Sequence, residues 1–262
     1  MSEVIQSPAN PKIKRLLRLR EKRAREREGV ILVEGRPEID RYLETGYPVK
    51  EVYICPELVE DKDFLERLKV LVAPVTISRS AFTKLAYGHR LEGLVLVVPK
   101  PEIRAEDIPQ KKQALFVVLE HLEKPGNLGA ILRSADGVGA DAVLVADPNV
   151  DVYNPNVIRA SLGTIFSRPV LVSSNEEVLA FLKKRKVTVF AAAPEAAENY
   201  AQENLTSSAA LVVGSEDKGL SDFWLQAADR KIRIPMRGKA DSLNASVSTA
   251  IILYEILRQR NV

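Results

Sequence analysis

The chain has 262 residues, of which 46% are hydrophobic and 28% charged, so it is too apolar for a disordered protein and long enough for one large core or two modest ones. Its single cysteine, Cys55, excludes an internal disulfide framework and a cysteine-rich metal centre, and the acidic residues show no ligand spacing, so no metal is expected and a reducing cytoplasm is the expected compartment. The opening MSEVIQSPANPKIKR has no apolar targeting core, and no run of about 18 uncharged apolar residues occurs, so neither secretion nor membrane spanning is expected.

The net charge of +3 is unevenly spread. Lys12, Lys14, Arg15, Arg18, Arg20, Lys22, Arg23, Arg25 and Arg27 face only Glu21, Glu26 and Glu28 within one segment. The pattern predicts a basic helix over about 11–28, with Ile13, Leu16, Leu17 and Leu19 as a partial apolar face. Clustered cations suit a phosphate backbone, because counterion release rewards them; a solvated helix face with pairs such as Glu21 and Arg25 is the plainer alternative. ILVEG, a helix near 37–45, VKEVYIC, a helix near 62–69, APVTI and GLVLVV follow, and this alternation predicts a small α/β sandwich. Pro99, Pro101 and Pro109 then interrupt regular structure. The expected division is a domain over 1–98, a linker over 99–112 and a second domain over 113–262.

In the second region, strands are predicted at 114–120, 141–146, 168–173, 187–193, 209–214 and 231–236, with helices between them. Near-continuous apolar runs such as LFVVL and AALVV mark strands covered on both faces and paired in parallel through crossovers, which predicts a doubly wound α/β domain. A last helix opens at Asn244, with Val247, Ala250, Ile251, Tyr254 and Leu257 predicted as its packed face.

Ligands of open parallel sheets bind beyond the carboxyl ends of the strands, which directs attention to three segments. LEHLEKPGNLGAILRSADGVGAD contains a Pro125-Gly126-Asn127 turn, a helix from about Leu128, and Arg133 sharing a face with Gly129; Asn127 as a helix cap is the plain reading. ALVVGSEDKGLSDFWL runs from a strand into Gly214, Ser215 and Glu216 without a dinucleotide or phosphate-loop fingerprint, and Glu216 reads equally as a cap or a catalytic carboxylate. IRIPMRGKADSLNASVSTAIILYE sets Ser242 and Asn244 before the last helix, where either can cap it. The two histidines, His89 and His121, form no nucleophile elbow.

Taken together, NLGAILRSADGVGAD, LVVGSEDKGLS and IPMRGKADSLNASVSTAIILYE resemble, in order and separation, the three motifs of the SpoU/TrmH branch of the SPOUT RNA 2′-O-ribose methyltransferases. The segment NPKIKRLLRLREKRAREREGVILVEG resembles that family's substrate-binding domain. Two positions vary from the usual pattern: Gly126 precedes Asn127 where many relatives have histidine, and the acid opening the first motif is Glu120 rather than aspartate. The resemblance implies a C-terminal parallel-sheet domain with a deep trefoil knot, a small N-terminal α/β RNA-binding domain, a homodimer, and S-adenosyl-L-methionine as cofactor. It places the cofactor around Gly214, Ile234, Met236 and Leu243, and matches Asn127, Arg133, Glu216, Ser242 and Asn244 to catalytic and ribose-binding positions. Arg133 would grip phosphate or stabilise the developing alkoxide, Glu216 would orient it or accept a proton, and the others would fix the ribose and the polar parts of the cofactor. Lys14, Arg18, Arg23 and Arg25 are the expected RNA contacts. Ribosomal RNA, of the 23S type, is the expected substrate, with neither DNA nor membrane as partner; a transfer-RNA methyltransferase and a non-catalytic RNA-binding assembly protein are the alternatives.

Overall fold

The computed structural model describes residues 4–87, 90–215 and 217–261. Two compact units emerge: Met1–Pro101 with Tyr153–Phe166, and Glu102–Val152 with Ser167–Val262.

In the first unit α1 (Pro11–Arg18) and α2 (Lys22–Glu28) lead into β1 (Val30–Glu34), α3 (Arg36–Glu44), β2 (Glu51–Ile54), α4 (Lys62–Leu71), β3 (Val75–Thr76), α5 (Arg79–Leu85) and β4 (Leu94–Pro99). The sheet order is β1-β4-β2-β3, with β4 antiparallel to both neighbours and β2 parallel to β3. Ile13, Leu16 and Leu19 are fully buried and share a core with Tyr53, Phe82 and Val95.

The expected single basic helix is two helices. Asn10 caps the first, its side chain accepting from the Lys12 N–H at 2.9 Å, and Pro11 takes a first-turn position where a missing N–H costs nothing. The break after Arg18 is held by Arg25, whose guanidinium donates to the carbonyls of Leu19 at 2.8 Å and Arg20 at 2.5 Å. Arg25 is only 3% exposed, so its expected role as an RNA contact is corrected: it satisfies carbonyls left open where the helix ends. Arg15 is likewise engaged, between Glu28 and Glu51 at 2.8 Å each, and Arg20 pairs with Glu34, whose carboxyl pKa is raised by burial. Lys14, Arg18 and Arg23 are exposed.

A single cut near residue 100 does not describe the contacts. Residues 153–166 pack within the first unit, where Arg41 donates to the Leu162 carbonyl at 2.7 Å and Tyr42 meets Phe166 edge-on at 5.1 Å.

The second unit runs β5 (Leu115–Glu120), α6 (Pro125–Gly137) and β6 (Ala142–Ala146). The chain then makes α7 (Pro155–Ala160), which belongs to the first unit, and returns as β7 (Val170–Ser173), α8 (Asn175–Lys184), β8 (Thr188–Ala192), β9 (Glu198–Asn199), β10 (Ala209–Val213), α9 (Asp222–Ala227), β11 (Arg230–Arg233) and α10 (Ala245–Asn261). The sheet order is β7-β6-β5-β10-β8-β11-β9, parallel throughout, with Leu211 of β10 beside Val117 of β5 and Phe190 of β8. β5, β6 and β10 are buried along their whole length, as their unbroken apolar runs require.

Two expectations fail here. The last strand stops at Arg233, two residues before Pro235, which has no N–H for a ladder. The predicted packed face of α10 is not the buried one: Thr249, Ile252, Leu253 and Ile256 are buried, while Val247 and Tyr254 are 45% and 53% exposed. At its far end Arg260 donates to the carbonyls of Leu205, Gln113 and Ala114 at 3.1–3.2 Å, and burial pulls its pKa below the usual guanidinium value.

Arg25→Ala is expected to cost about 2–3 kcal/mol, the worth of charged hydrogen bonds whose carbonyl partners stay buried. Arg23→Ala, on the exposed side, should stay within about 0.5 kcal/mol. Urea unfolding of the two variants checks the contrast; equal midpoints would overturn the structural role of Arg25.

Candidate active site

The carboxyl ends of β8, β10 and β11 open into one cavity of about 300 Å³. Ala192–Glu195 wall one side, and Gly214, Ser215 and Asp217–Leu220 a second. Ile232–Ile234, Met236 and Asp241–Leu243, with Ala245, Ser248 and Ile252 of α10, close it.

The wall after β10 depends on a glycine. A Cβ on Gly214 would lie 2.1 Å from the Gly219 carbonyl oxygen and 2.4 Å from the Leu220 nitrogen, a backbone clash that no side-chain rotation relieves. Two backbone hydrogen bonds between Ser215 and Gly219, at 3.1 and 3.0 Å, fold the loop on itself, and Gly219 turns it with φ of +66°. The Lys218 N–H adds a bond to the Ser215 hydroxyl at 3.2 Å.

All four residues expected to hold the cofactor, Gly214, Ile234, Met236 and Leu243, line this cavity, and Ser242 lines it with them. The chain continues from there to Asn244, whose amide nitrogen donates to Asn127 Oδ1 at 3.2 Å. The Asn244 oxygen meanwhile accepts from the Ser246 N–H at 2.9 Å and the Ser246 hydroxyl at 2.7 Å, so the capping reading of Asn244 also holds. Asn127 does not cap α6. The helix begins at Pro125, which sits comfortably in a first turn, and Asn127 lies inside that turn.

Arg133 stands further along α6, exposed, and forms no ion pair with any described residue. Gly129, one turn before it, is buried on the packed side of the helix. Glu216 lies outside the described residues. The structure therefore brings together the cavity set, joins Asn127 to Asn244 beside it, and carries Arg133 on the same helix as Asn127.

Sequence reading missed the carboxylates Glu195, Asp217 and Asp241 in the lining. Asp217 and Asp241 sit inside the motif loops and were open to selection; Glu195 follows β8, which no motif marked.

A parallel α/β sheet with a partly apolar cavity at its carboxyl edge, walled by a glycine-dependent loop, is the architecture of a small-molecule-binding enzyme domain. Residues 114–254 match the SpoU rRNA Methylase family, and residues 10–95 match the MRM3-like substrate binding domain. A 23S rRNA (uridine(2479)-2′-O)-methyltransferase of Streptomyces viridochromogenes is 34% identical over 245 residues, covering 90% of this chain and 85% of the relative. A crystal structure of an RNA 2′-O ribose methyltransferase superposes with a TM-score of 0.86 at 42% identity, over 98% of this chain and 99% of the other. The SpoU methyltransferase AviRb from Streptomyces viridochromogenes, in complex with AdoMet, superposes with a TM-score of 0.87 at 29% identity, over 95% and 98% of the two chains. The chain belongs to the SpoU rRNA methylase family, and it is an S-adenosylmethionine-dependent enzyme.

The cavity fits that cofactor chemically. Ile234, Met236, Leu243 and Ile252 offer apolar surface to a flat adenine, Ser215 and Ser242 offer hydroxyls, and Glu195, Asp217 and Asp241 offer negative charge to a cationic sulfonium and ammonium.

Gly214→Ala is expected to weaken S-adenosylmethionine binding on the order of 100-fold while leaving circular dichroism unchanged, since the clash is confined to one loop. Titration calorimetry reads the loss, and wild-type affinity would show that the loop tolerates the methyl group.

Proposed function

We propose that the chain methylates a ribose 2′-hydroxyl of 23S ribosomal RNA, with Asn127, Arg133, Glu216, Ser242 and Asn244 as its reacting-side residues and the 300 Å³ cavity as its cofactor site. The observation that carries this reading is the Asn244–Asn127 hydrogen bond, which ties the loop lining the cavity to the helix that bears Arg133. The cofactor, when bound, supplies an electrophilic methyl group on sulfur.

A ribose hydroxyl is a weak nucleophile at neutral pH, so the protein's task is to align O2′ and accommodate loss of its proton. The planar, multi-donor guanidinium of Arg133 suits it to gripping a neighbouring phosphate and stabilising charge that grows on O2′. Its exposure leaves it open to RNA. The Asn127 and Asn244 amides hold the ribose, Ser242 the polar part of the cofactor, and Glu216 orients Arg133 or takes the O2′ proton.

The 23S substrate is supported by the relative named for 23S rRNA and by the match of residues 10–95 to a substrate-binding domain. The exposed Lys14, Arg18 and Arg23 are among the cations of that domain's basic segment left to meet phosphates. A homodimer is supported by α10, where Val247 and Tyr254 stand largely exposed along the predicted apolar stripe. Knotting of the C-terminal region is supported by the family and by Ser242, Leu243, Ala245, Ser248 and Ile252 lining the same cavity as the loop after β10. No described helix is long and apolar enough to cross a membrane, and a cytoplasmic setting follows from the ribosomal substrate.

Labelled methyl from S-adenosylmethionine should enter a 2′-O-methyl nucleotide of ribosomal RNA, and Arg133→Ala should cut that transfer at least ~100-fold with cofactor affinity held within about threefold. Label appearing only in transfer RNA would overturn the substrate, and equal loss of binding and transfer would overturn the role of Arg133.

Reversing Lys14, Arg18 and Arg23 to Glu should lower the slope of log affinity against log salt by about 2–3, near one for each phosphate that is no longer neutralised. An unchanged slope would remove the basic segment from the RNA interface.

A further inference from the structure

Glu120 ends β5 and is only 1% exposed, yet no step of the methyl transfer uses it. Its Oε1 accepts from Asn175 Nδ2 at 3.2 Å and from the Ser221 hydroxyl at 2.5 Å, and its Oε2 accepts from the Ser221 N–H at 2.8 Å. Asn175 in turn accepts from Trp224 Nε1 at 2.5 Å, and its backbone N–H reaches Asp147 at 3.2 Å. The polarity of this network is fixed. The indole can only donate, which sets the amide of Asn175, which then presents its own donor to Glu120; three donors converge on a group that must accept from all of them.

Ser221 shows where the network's effect is directed. It occupies the N-cap position of α9, but α9 has no side-chain cap, because the hydroxyl is turned to Glu120 instead. Forgoing a cap weakens a short helix, so the contact with Glu120 has a stronger claim on that hydroxyl. Ser221 is also the residue directly after Leu220, the last of the loop that walls the cavity. Upstream, that loop is anchored by β10, paired on both edges; downstream, Leu220 packs against the core and the pair of bonds from Ser221 to Glu120 is the first polar anchor.

We propose that Glu120 is a positioning residue that holds the cofactor-facing residues Asp217–Leu220 in their binding shape through Ser221, with Asn175 and Trp224 fixing the carboxylate from the other side. The inference rests on the assignment of the cavity to S-adenosylmethionine. Glu120 is outside the cavity lining and acts through the loop, on affinity for the cofactor more than on the chemical step.

Glu120→Gln keeps the shape but faces one donor with another in either amide orientation. It should raise the KM and Kd for S-adenosylmethionine about 10- to 100-fold, the worth of a buried charge-assisted hydrogen bond, with a smaller effect on kcat at saturating cofactor. The emission of Trp224, the chain's only tryptophan, should shift with it. Adding Asn175→Asp supplies an acceptor opposite the new amide and retains one for the indole, so the double variant should recover most of the affinity. Ser221→Ala, which keeps the carboxylate and removes a single bond, gives a milder change in the same direction and remains informative if Glu120→Gln folds poorly. Unchanged affinity in both Glu120→Gln and Ser221→Ala, or a loss that the double variant does not repair, overturns the inference. Gly214→Ala in the same assay separates the two assignments: if it weakens binding while Glu120→Gln and Ser221→Ala leave affinity unchanged, the network inference alone fails, and if all three bind normally, the cavity assignment fails and takes the inference with it.

Discussion

β5 and β10 lie side by side in the sheet, but the chain that leaves β5 goes on to β6 and β7 on one flank, whereas β8 and β11 lie on the flank beyond β10. Connections that part in this way leave a crevice at the carboxyl edge, and the crevice is where a parallel sheet binds its ligand. Most of the functional layout follows from that reversal. α6, which leaves β5, carries Asn127 and Arg133; the loop that leaves β10 begins with Gly214 and walls the cavity. Neither segment would meet the other if the strand order ran in sequence. The same adjacency lets Glu120, at the end of β5, reach Ser221 beyond the end of the β10 loop.

The first unit solves a different problem, which is how to carry many cations without losing its fold. It divides them. Arg15, Arg20 and Arg25 are drawn into ion pairs or onto helix-end carbonyls, where charge-assisted bonds outweigh part of their desolvation, while Lys14, Arg18 and Arg23 stay in solvent. These three, with the exposed Lys12, Lys22 and Arg27, are the cations open to phosphates, so the electrostatic footprint is narrower than the composition of residues 12–28 implies.

This division marks the boundary of what was legible in the sequence. The apolar runs of β5, β6 and β10, the glycine-dependent loop and the cavity residues Ile234, Met236 and Leu243 could be read because each is local, or lies in a motif of fixed order. The split between α1 and α2 could not, since it depends on a side chain reaching back to carbonyls six and five residues earlier. Nor could the partners of Glu120, which stand 55 and 101 positions away. β9 is two residues long and leaves no periodicity to detect. On α10, apolar residues occur around much of the circumference, so two stripes at helical spacing compete, and only tertiary packing decides which is buried.

That competition on α10 has a functional side. The helix buries Ile252, Leu253 and Ile256 within its own unit and uses Ala245, Ser248 and Ile252 to close the cavity, while Val247 and Tyr254 keep a second apolar surface in solvent. Tyr254 lies across Gly137 of α6, where an added Cβ would come 3.0 Å from its hydroxyl oxygen. One helix thus contacts the cofactor cavity with its first turns, the Arg133 helix with its middle, and a second copy, on the homodimer reading, with its outer stripe. Apolar surface of this kind gains free energy when covered, and covering it would restrain the same helix whose N-terminal cap, Asn244, is bonded to Asn127. On the homodimer reading, association and site geometry would be coupled through α10: a partner that steadies the helix would also steady the amide pair beside the cavity.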